Sequence, residues 1–353
     1  IGEADEAAIL AARRETPPPP RAPAMLRQAD PGPDYVARYA QAFGPSALSG
    51  RRIGVWAQAA VGRDLLAAVL SALGAELVEI DRREDFLALD TEAIDPDTRH
   101  FLRLSCAMHG VESIVSTDGD GDRPLVTDAE GRVIPGDLLG QITARYLGAG
   151  VVVTPMTSNS GVTQSGFDQV IRTRVGAPHV IAAMQAVLSE RPGAAVVGYE
   201  ANGGFLLGFA ARGPAGPLPM LMTRDSLLPI VAALVMAGTG GLAALRDSLP
   251  DRATASDRLP RIDRRIARQV LTGLMQDAQA RAAFLARVSE RAQHCDLSDG
   301  LRMGLQSGRI LHLRLSGNAP ELRCYAEAES IEAASALLRA GLEAISRLLA
   351  QTD

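Results

Sequence analysis

Residues 51 to 80 read RRIGVWAQAAVGRDLLAAVLSALGAELVEI, and their periodicity decides the fold. RRIGVWAQ opens a strand at Arg52, GRDLLAAVLSALGA carries apolar residues at helical spacing, and AELVEI is a second strand. The pattern continues with a helix from about Asp97 to Met108 and a strand at VESIVS, residues 111 to 116. Such alternation predicts an open α/β sheet with helices on its faces.

Upstream, residues 1 to 16 predict one helix, followed by Pro17 to Pro20 and a proline- and glycine-rich stretch reaching Pro33. A second helix from about Pro33 to Phe43 ends at Gly44. Downstream the layout repeats. GDLLGQITARYLGAG (136–150) predicts a helix capped by Asp137 and closed by Gly148, and GVVVTP (150–155) a buried strand. SGFDQVIRTRVG (165–176) predicts a helix and a strand, HVIAAMQAVLSE (179–190) a helix, and GAAVVGYEANGG (193–204) a strand running into a glycine loop. PDRATASDR (250–258) reads as a polar linker. Beyond it come long helices, two short strands at RILHLRL (309–315) and LRCYAEA (322–328), and an amphipathic helix from Ile331 to Leu349. The expectation is therefore two consecutive open α/β sheet domains and a C-terminal α+β domain around a central cleft. The boundaries fall at 1–48 for an N-terminal tail and linker, then 49–136, 137–252 and 253–353.

A chain of 353 residues predicts two to four units. The formal charge of −5 argues against a nucleic-acid binder, so an anionic ligand must be met by local basic clusters. All 36 basic residues are arginine, which serves poorly as a proton acceptor. Cys106, Cys295 and Cys324 fit neither a disulfide framework nor a zinc site, and a cytoplasmic protein is expected. The uncharged run Ser226 to Leu245 is tested as a membrane span and rejected: Asp225 or Ser226 caps a helix that Gly238, Gly240 and Gly241 end after about three turns. A chain that starts at Ile1 is expected to be a fragment or a trimmed product. Oligomeric state is left open.

Three loops carry chemistry. In STDGDGDRP (116–124), Asp118, Asp120 and Asp122 alternate with glycines, so three carboxylates can converge on a hard cation. An EF-hand would need Gly where Arg123 stands and Glu where Ala129 stands, so that reading is discarded. An acidic turn facing water has the same letters, but Arg123 alongside suits a phosphoryl group. In GYEANGG (198–204), Glu200 and Asn202 share one side of an extended loop and suit sugar hydroxyls; a polar turn at a strand end is the plain alternative. In RLSGNAPELR (314–323), Arg314, Ser316, Gly317, Asn318 and Arg323 form an anion nest or an ordinary turn.

Taken together, TDGDGDR, GYEANGG and RLSGNAPELRCYAEA, with VVVTPMTSNSG and RTRVG in the right order, resemble the α-D-phosphohexomutases, the phosphomannomutase and phosphoglucomutase superfamily. The resemblance implies that Asp118, Asp120 and Asp122 bind Mg²⁺ and that Arg123 is catalytic, assisting phosphoryl transfer. It implies that Glu200 and Asn202 bind the sugar, and that Arg314, Ser316, Gly317, Asn318 and Arg323 hold the non-reacting phosphate. The implied reaction moves phosphate between the 1- and 6-positions of a hexose phosphate, most simply mannose phosphate, through a phosphoserine and a hexose 1,6-bisphosphate. The partner is a hexose phosphate, with no nucleic acid and no membrane. The family's T-A-S-H-N-P serine loop has no match in these residues, so most of the N-terminal nucleophile domain is expected to be missing. A non-catalytic sugar-phosphate-binding protein is the alternative. Asn202 stands where many members have serine, and Asn318, Ala319 and Glu321 replace Thr, Glu and Lys, leaving Arg323 to compensate the lost charge. His179 is a further phosphate candidate, or a surface or helix-capping residue.

Overall fold

The computed structural model describes residues 3–12, 29–317 and 319–351. Helices α1 (Glu3–Ala12) and α2 (Gly32–Phe43) precede the first sheet. That sheet comprises β1 (Arg52–Gln58), β2 (Glu76–Arg82), β3 (Ser113–Thr117) and β4 (Pro124–Val126), with α3 (Arg63–Ala72) and α4 (Pro96–His109) between them. The order is β2-β1-β3-β4: β1 runs parallel to both neighbours, and β4 returns antiparallel on β3. Central β1 is buried from Ile53 to Gln58, as a strand covered on both faces must be. Helix α4 starts where Asp95 accepts the Thr98 N–H at 2.9 Å and ends at Gly110 in a left-handed conformation.

The second unit holds α5 (Gly136–Tyr146), β5 (Val151–Pro155), β6 (Gln169–Thr173), α6 (Ala177–Glu190), β7 (Val196–Tyr199) and β8 (Phe205–Leu207). A small ribbon, β9 (Ala211–Arg212) and β10 (Pro217–Leu218), precedes β11 (Leu221–Asp225), α7 (Leu227–Ala237) and α8 (Gly241–Asp247). Its sheet order is β11-β8-β7-β5-β6. The third unit is an antiparallel sheet of order β12-β16-β15-β14-β13. It is built from β12 (Ala253–Leu259), β13 (Ala292–Asp296), β14 (Leu301–Leu305), β15 (Ile310–Leu315) and β16 (Leu322–Ala328), covered by α9 (Arg264–Gln276), α10 (Ala278–Ala286) and α11 (Ile331–Ala350).

Four local expectations change. The linker PDRATASDR contains β12, whose residues pair with β16 from Ala253↔Ala328 to Leu259↔Leu322. Strands β13 and β14 complete a sheet for which only two strands were expected. Asp137 does not cap α5, because Pro135 precedes the helix and Asp137 lies buried inside it, accepting the Asn159 N–H at 2.8 Å. No helix forms in 165–176: that segment holds β6, and the 3₁₀ turn at Ser160–Gln164 lies ahead of it.

The run Leu227–Asp247 is long and apolar enough to cross a bilayer by length and composition. Here Leu227 to Leu234 are all buried, and the helix stops at Gly238 as the glycines predict. Asp225 starts it by accepting the N–H groups of Leu227 and Leu228, and also takes the hydroxyls of Tyr35 at 2.6 Å and Tyr39 at 2.7–2.8 Å. Helix α2 is thereby clasped to the second unit. Tyr39→Phe removes one donor from this buried carboxylate and should cost about 2 kcal/mol. A lowered denaturant midpoint with unchanged slope is the expected reading.

One hydrophobic core runs without a break from Tyr39, Leu66 and Val69 through Leu139 and Val152 to Leu228 and Leu234, so the first two units share their interior. The third unit has its own core around Phe284, Leu313 and Ile345, and meets the second through polar contacts. Glu327 accepts the Ser160 N–H at 2.9 Å and pairs with Arg252 at 2.7 Å, and Asp299 accepts the Val175 N–H at 2.7 Å.

Candidate functional site

Each of the three chemical loops joins two antiparallel neighbours. Residues 118–123 connect Thr117 to its partner Pro124, 200–204 connect Tyr199 to Phe205, and 316–321 connect Leu315 to Leu322. A hairpin turn projects side chains beyond the sheet while the paired strands fix its ends.

In the first turn Asp118 is buried, Asp122 half-buried and Asp120 exposed, and one oxygen from each lies within 4.8 Å of the others. Asp118 Oδ1 accepts the N–H groups of Asp122 and Arg123, both at 3.1 Å, which bends the loop around its own carboxylate. Gly121 makes that bend possible at φ +83°. Burial pushes the Asp118 carboxyl up to about 6; the Arg123 N–H pulls against this, and the charges of Asp120 and Asp122 add to the rise. Asp122 Oδ1 is buried with no hydrogen-bond partner, and the Arg123 Nε lies 3.5 Å away. An all-oxygen set with an orphaned carboxylate oxygen fits a hard divalent cation.

In the second turn Glu200 is buried and Asn202 holds the loop, its Oδ1 accepting the Gly204 N–H at 3.0 Å. Gly203, at φ +91°, lets the chain turn over the N-terminus of α5, where Gly136 lies. In the third turn Ser316 Oγ accepts the Ala319 N–H at 3.3 Å, and Arg264 donates to the carbonyls of Ser316 and Gly317. Arg314 Nε is held by Asp299 at 2.9 Å. Arg323 has a buried Nε without a hydrogen-bond partner, 3.6 Å from Glu321, and Arg258 stands 3.7 Å from the same carboxylate. Asn318 lies outside the described residues. His179 falls in the first turn of α6, half-buried, with no ion pair among the described residues.

The structure joins the first two loops through residues 224 to 226. Arg224, at the end of β11, donates to Asp122 and to Glu200, each at 2.7 Å, and Ser226 Oγ donates to the Gly121 carbonyl at 2.7 Å. The third loop is reached through the segment after β2. Thr91 Oγ1 donates to the Asn202 carbonyl at 3.0 Å, Ser256 Oγ to the Glu92 carbonyl at 3.4 Å, and Asp90 lies 4.0 Å from Arg258. Glu92 feels Arg323, Asp137 and Glu200 together; burial first, then Asp90, pushes its carboxyl up to about 7 while Arg323 opposes the rise. Arg224, Glu92, Arg258, Arg264 and Asp299 were not singled out by sequence. Each sits in an ordinary-looking stretch and acquires its place only when separate sheets meet.

Comparison with known proteins shows the family and the fold. Sequence profiles of the phosphoglucomutase/phosphomannomutase family match here three times: alpha/beta/alpha domain II over residues 33–131, alpha/beta/alpha domain III over 135–252, and the C-terminal domain over 267–343. The chain belongs to the phosphoglucomutase/phosphomannomutase family. A curated relative from Sinorhizobium fredii (strain NBRC 101917 / NGR234), named phosphomannomutase, is 41% identical over 317 residues, covering 88% of this chain and 66% of that protein. This chain thus spans slightly under two thirds of the relative's length. The fold is also that of a phosphoglucomutase/phosphomannomutase family protein from Burkholderia thailandensis, with a TM-score of 0.71 at 21% identity over 98% of this chain and 69% of that one. It is likewise that of Aspergillus fumigatus N-acetylphosphoglucosamine mutase, solved in complex with GlcNAc-6P and magnesium, with a TM-score of 0.55 at 16% identity over 89% and 64% of the two chains.

Proposed function

We propose that this chain supplies the metal, sugar and distal-phosphate loops of a phosphohexomutase acting on mannose phosphate, divided near residues 49, 137 and 253. The observation that carries the reading is that Asp122 and Glu200, from two different sheets, share the Arg224 guanidinium, while residues 90 to 92 link the sugar loop at Asn202 to Ser256 and Arg258 of the third unit. A carboxylate cluster for a cation, a buried acceptor for hydroxyls and a basic loop for a dianion are the three recognitions a hexose phosphate requires.

Asp118, Asp120 and Asp122 would hold Mg²⁺, which when bound offsets the negative charge of a transferring phosphoryl group. Arg123, beside those aspartates, adds a fixed positive charge for the same oxygens. Glu200 orients the sugar by accepting from its hydroxyls. Arg314, with Nε spent on Asp299, keeps its terminal nitrogens for the phosphate that is not reacting, helped by Arg323, the Ser316 hydroxyl and the backbone at Gly317 and Asn318. The two ends of a hexose 1,6-bisphosphate exchange places between transfers, so a loop that accepts either phosphate serves both half-reactions. The phosphoryl donor would be a phosphoserine, for which these residues offer no serine loop of the family's T-A-S-H-N-P type.

Calorimetric titration with mannose 6-phosphate in Mg²⁺ should give saturable binding that is lost with mannose. Equal heats for mannose and its phosphate would overturn the phosphate assignment. Catalysis is tested by joining the chain to the first domain of the Sinorhizobium relative and following mannose 1-phosphate by phosphorus NMR. Binding without interconversion would leave a sugar-phosphate binder.

A further inference from the structure

Arg224 lies between two loops that come from different sheets, and its guanidinium is divided between them. Nη1 donates to Asp122 Oδ2 and Nε to Glu200 Oε2, each at 2.7 Å, with the arginine side chain 24% exposed and the glutamate 4%. Each carboxylate therefore keeps one oxygen without a hydrogen bond, that of Asp122 being 3.5 Å from the Arg123 Nε. Asp122 Oδ1 is buried without a hydrogen-bond partner, and no protein donor among the described residues bonds Glu200 Oε1. The arginine's own place is fixed from both sides. Asp225, next in sequence, is clasped by Tyr35 and Tyr39, and Ser226 bonds the metal loop at Gly121. The sugar loop makes room for the stem at Gly204, where a Cβ would stand 3.1 Å from the Arg224 Cδ. A planar fork holds two carboxylates at fixed angles to one another, whereas an ammonium is a compact charge whose donors rotate freely.

We propose that Arg224 is a positioning residue shared by the metal and sugar loops. It fixes which oxygen of Asp122 and of Glu200 is turned to the ligands, and its charge holds down the affinity of the aspartate cluster for a divalent cation. The inference rests on the reading of these loops given above and adds a link between them. Geometry and charge act in opposite directions at the two loops. Loss of the guanidinium removes a repulsive positive charge beside the cation, which strengthens metal binding, while Glu200 loses its orientation, which weakens sugar binding.

Arg224→Gln and Arg224→Lys, measured beside the wild type, separate the two effects. Mn²⁺ uptake is followed by electron paramagnetic resonance, mannose 6-phosphate by calorimetry, and folding by thermal unfolding. Arg224→Gln should bind Mn²⁺ roughly tenfold more tightly and mannose 6-phosphate roughly tenfold more weakly. Arg224→Lys should leave Mn²⁺ near wild type and still weaken the sugar phosphate. Unchanged affinities in both variants overturn the proposal. So does a parallel loss of both affinities with a lowered melting temperature, the mark of a merely structural arginine. If the wild type takes up Mn²⁺ but no mannose 6-phosphate, the sugar-phosphate reading fails, and the Mn²⁺ titrations alone decide whether Arg224 restrains the cluster. A wild type that takes up neither overturns both.

Discussion

Asp118→Ala should lower Mn²⁺ affinity by about a hundredfold or more, since it deletes the one buried carboxylate of the cation cluster. The same substitution strips the acceptor from two N–H groups, those of Asp122 and Arg123, and should cost about 2 kcal/mol of stability. Asp118→Asn separates the effects: its amide oxygen still accepts both N–H groups, while the charge is gone. The asparagine variant should melt near the wild type and bind Mn²⁺ poorly. Full Mn²⁺ affinity in that variant would remove Asp118 from the metal site. A cation must also displace the proton from Asp118, whose carboxyl sits at about 6, so wild-type Mn²⁺ affinity should rise with pH through that value and level off above it. Flat affinity between pH 5 and 7, on either side of that value, would contradict the buried, crowded carboxyl.

Gly136→Ala should destabilise the fold by about 3 kcal/mol and weaken mannose 6-phosphate binding with it. The first residue of α5 faces the sugar loop so closely that an added Cβ would lie 2.3 Å from the Gly203 nitrogen, 2.5 Å from the Asn202 carbonyl carbon and 2.6 Å from the Ala201 oxygen. All three are backbone atoms, so no side chain can swing away; the loop itself must shift, and Glu200 moves with it. Gly273→Ala is the control. It lies within α9 with nothing within 4 Å of the added methyl, and alanine there should stabilise by about 0.5–1 kcal/mol. A Gly136→Ala protein with wild-type melting and wild-type sugar-phosphate affinity would show that the loop and helix are not in register as described.

The central strand β1, its flanking helices and the three chemical loops were legible because each is written locally, in periodicity or in a run of glycine and aspartate. Strand β12 was hidden because it is an edge strand, half exposed along its length, and its Asp, Arg and Ser residues spell a linker when read alone. Strands β13 and β14 are short, and β13 mixes half-exposed and exposed residues, so neither offers a long alternating pattern. Asp137 looked like a cap because acidic residues favour helix starts. Its actual partner, the Asn159 N–H, lies 22 residues away and comes into view only once the unit is folded. The same reason hides Arg224. Nothing in LMTRDSLL announces a residue that touches two other loops, since its partners are 24 and 102 positions distant.

Arg224, Asp225 and Ser226 are consecutive, yet they answer to three different places: the pair of carboxylates, the tyrosines of α2, and the turn carrying the aspartates. Mechanically this tripeptide is a junction where three load paths meet. Tension on the chain entering α2 at Gly32 would arrive, through two tyrosine hydroxyls, one residue away from the groups that grip cation and sugar. Helix α2 is therefore fastened one residue away from the side chain that joins the metal and sugar loops.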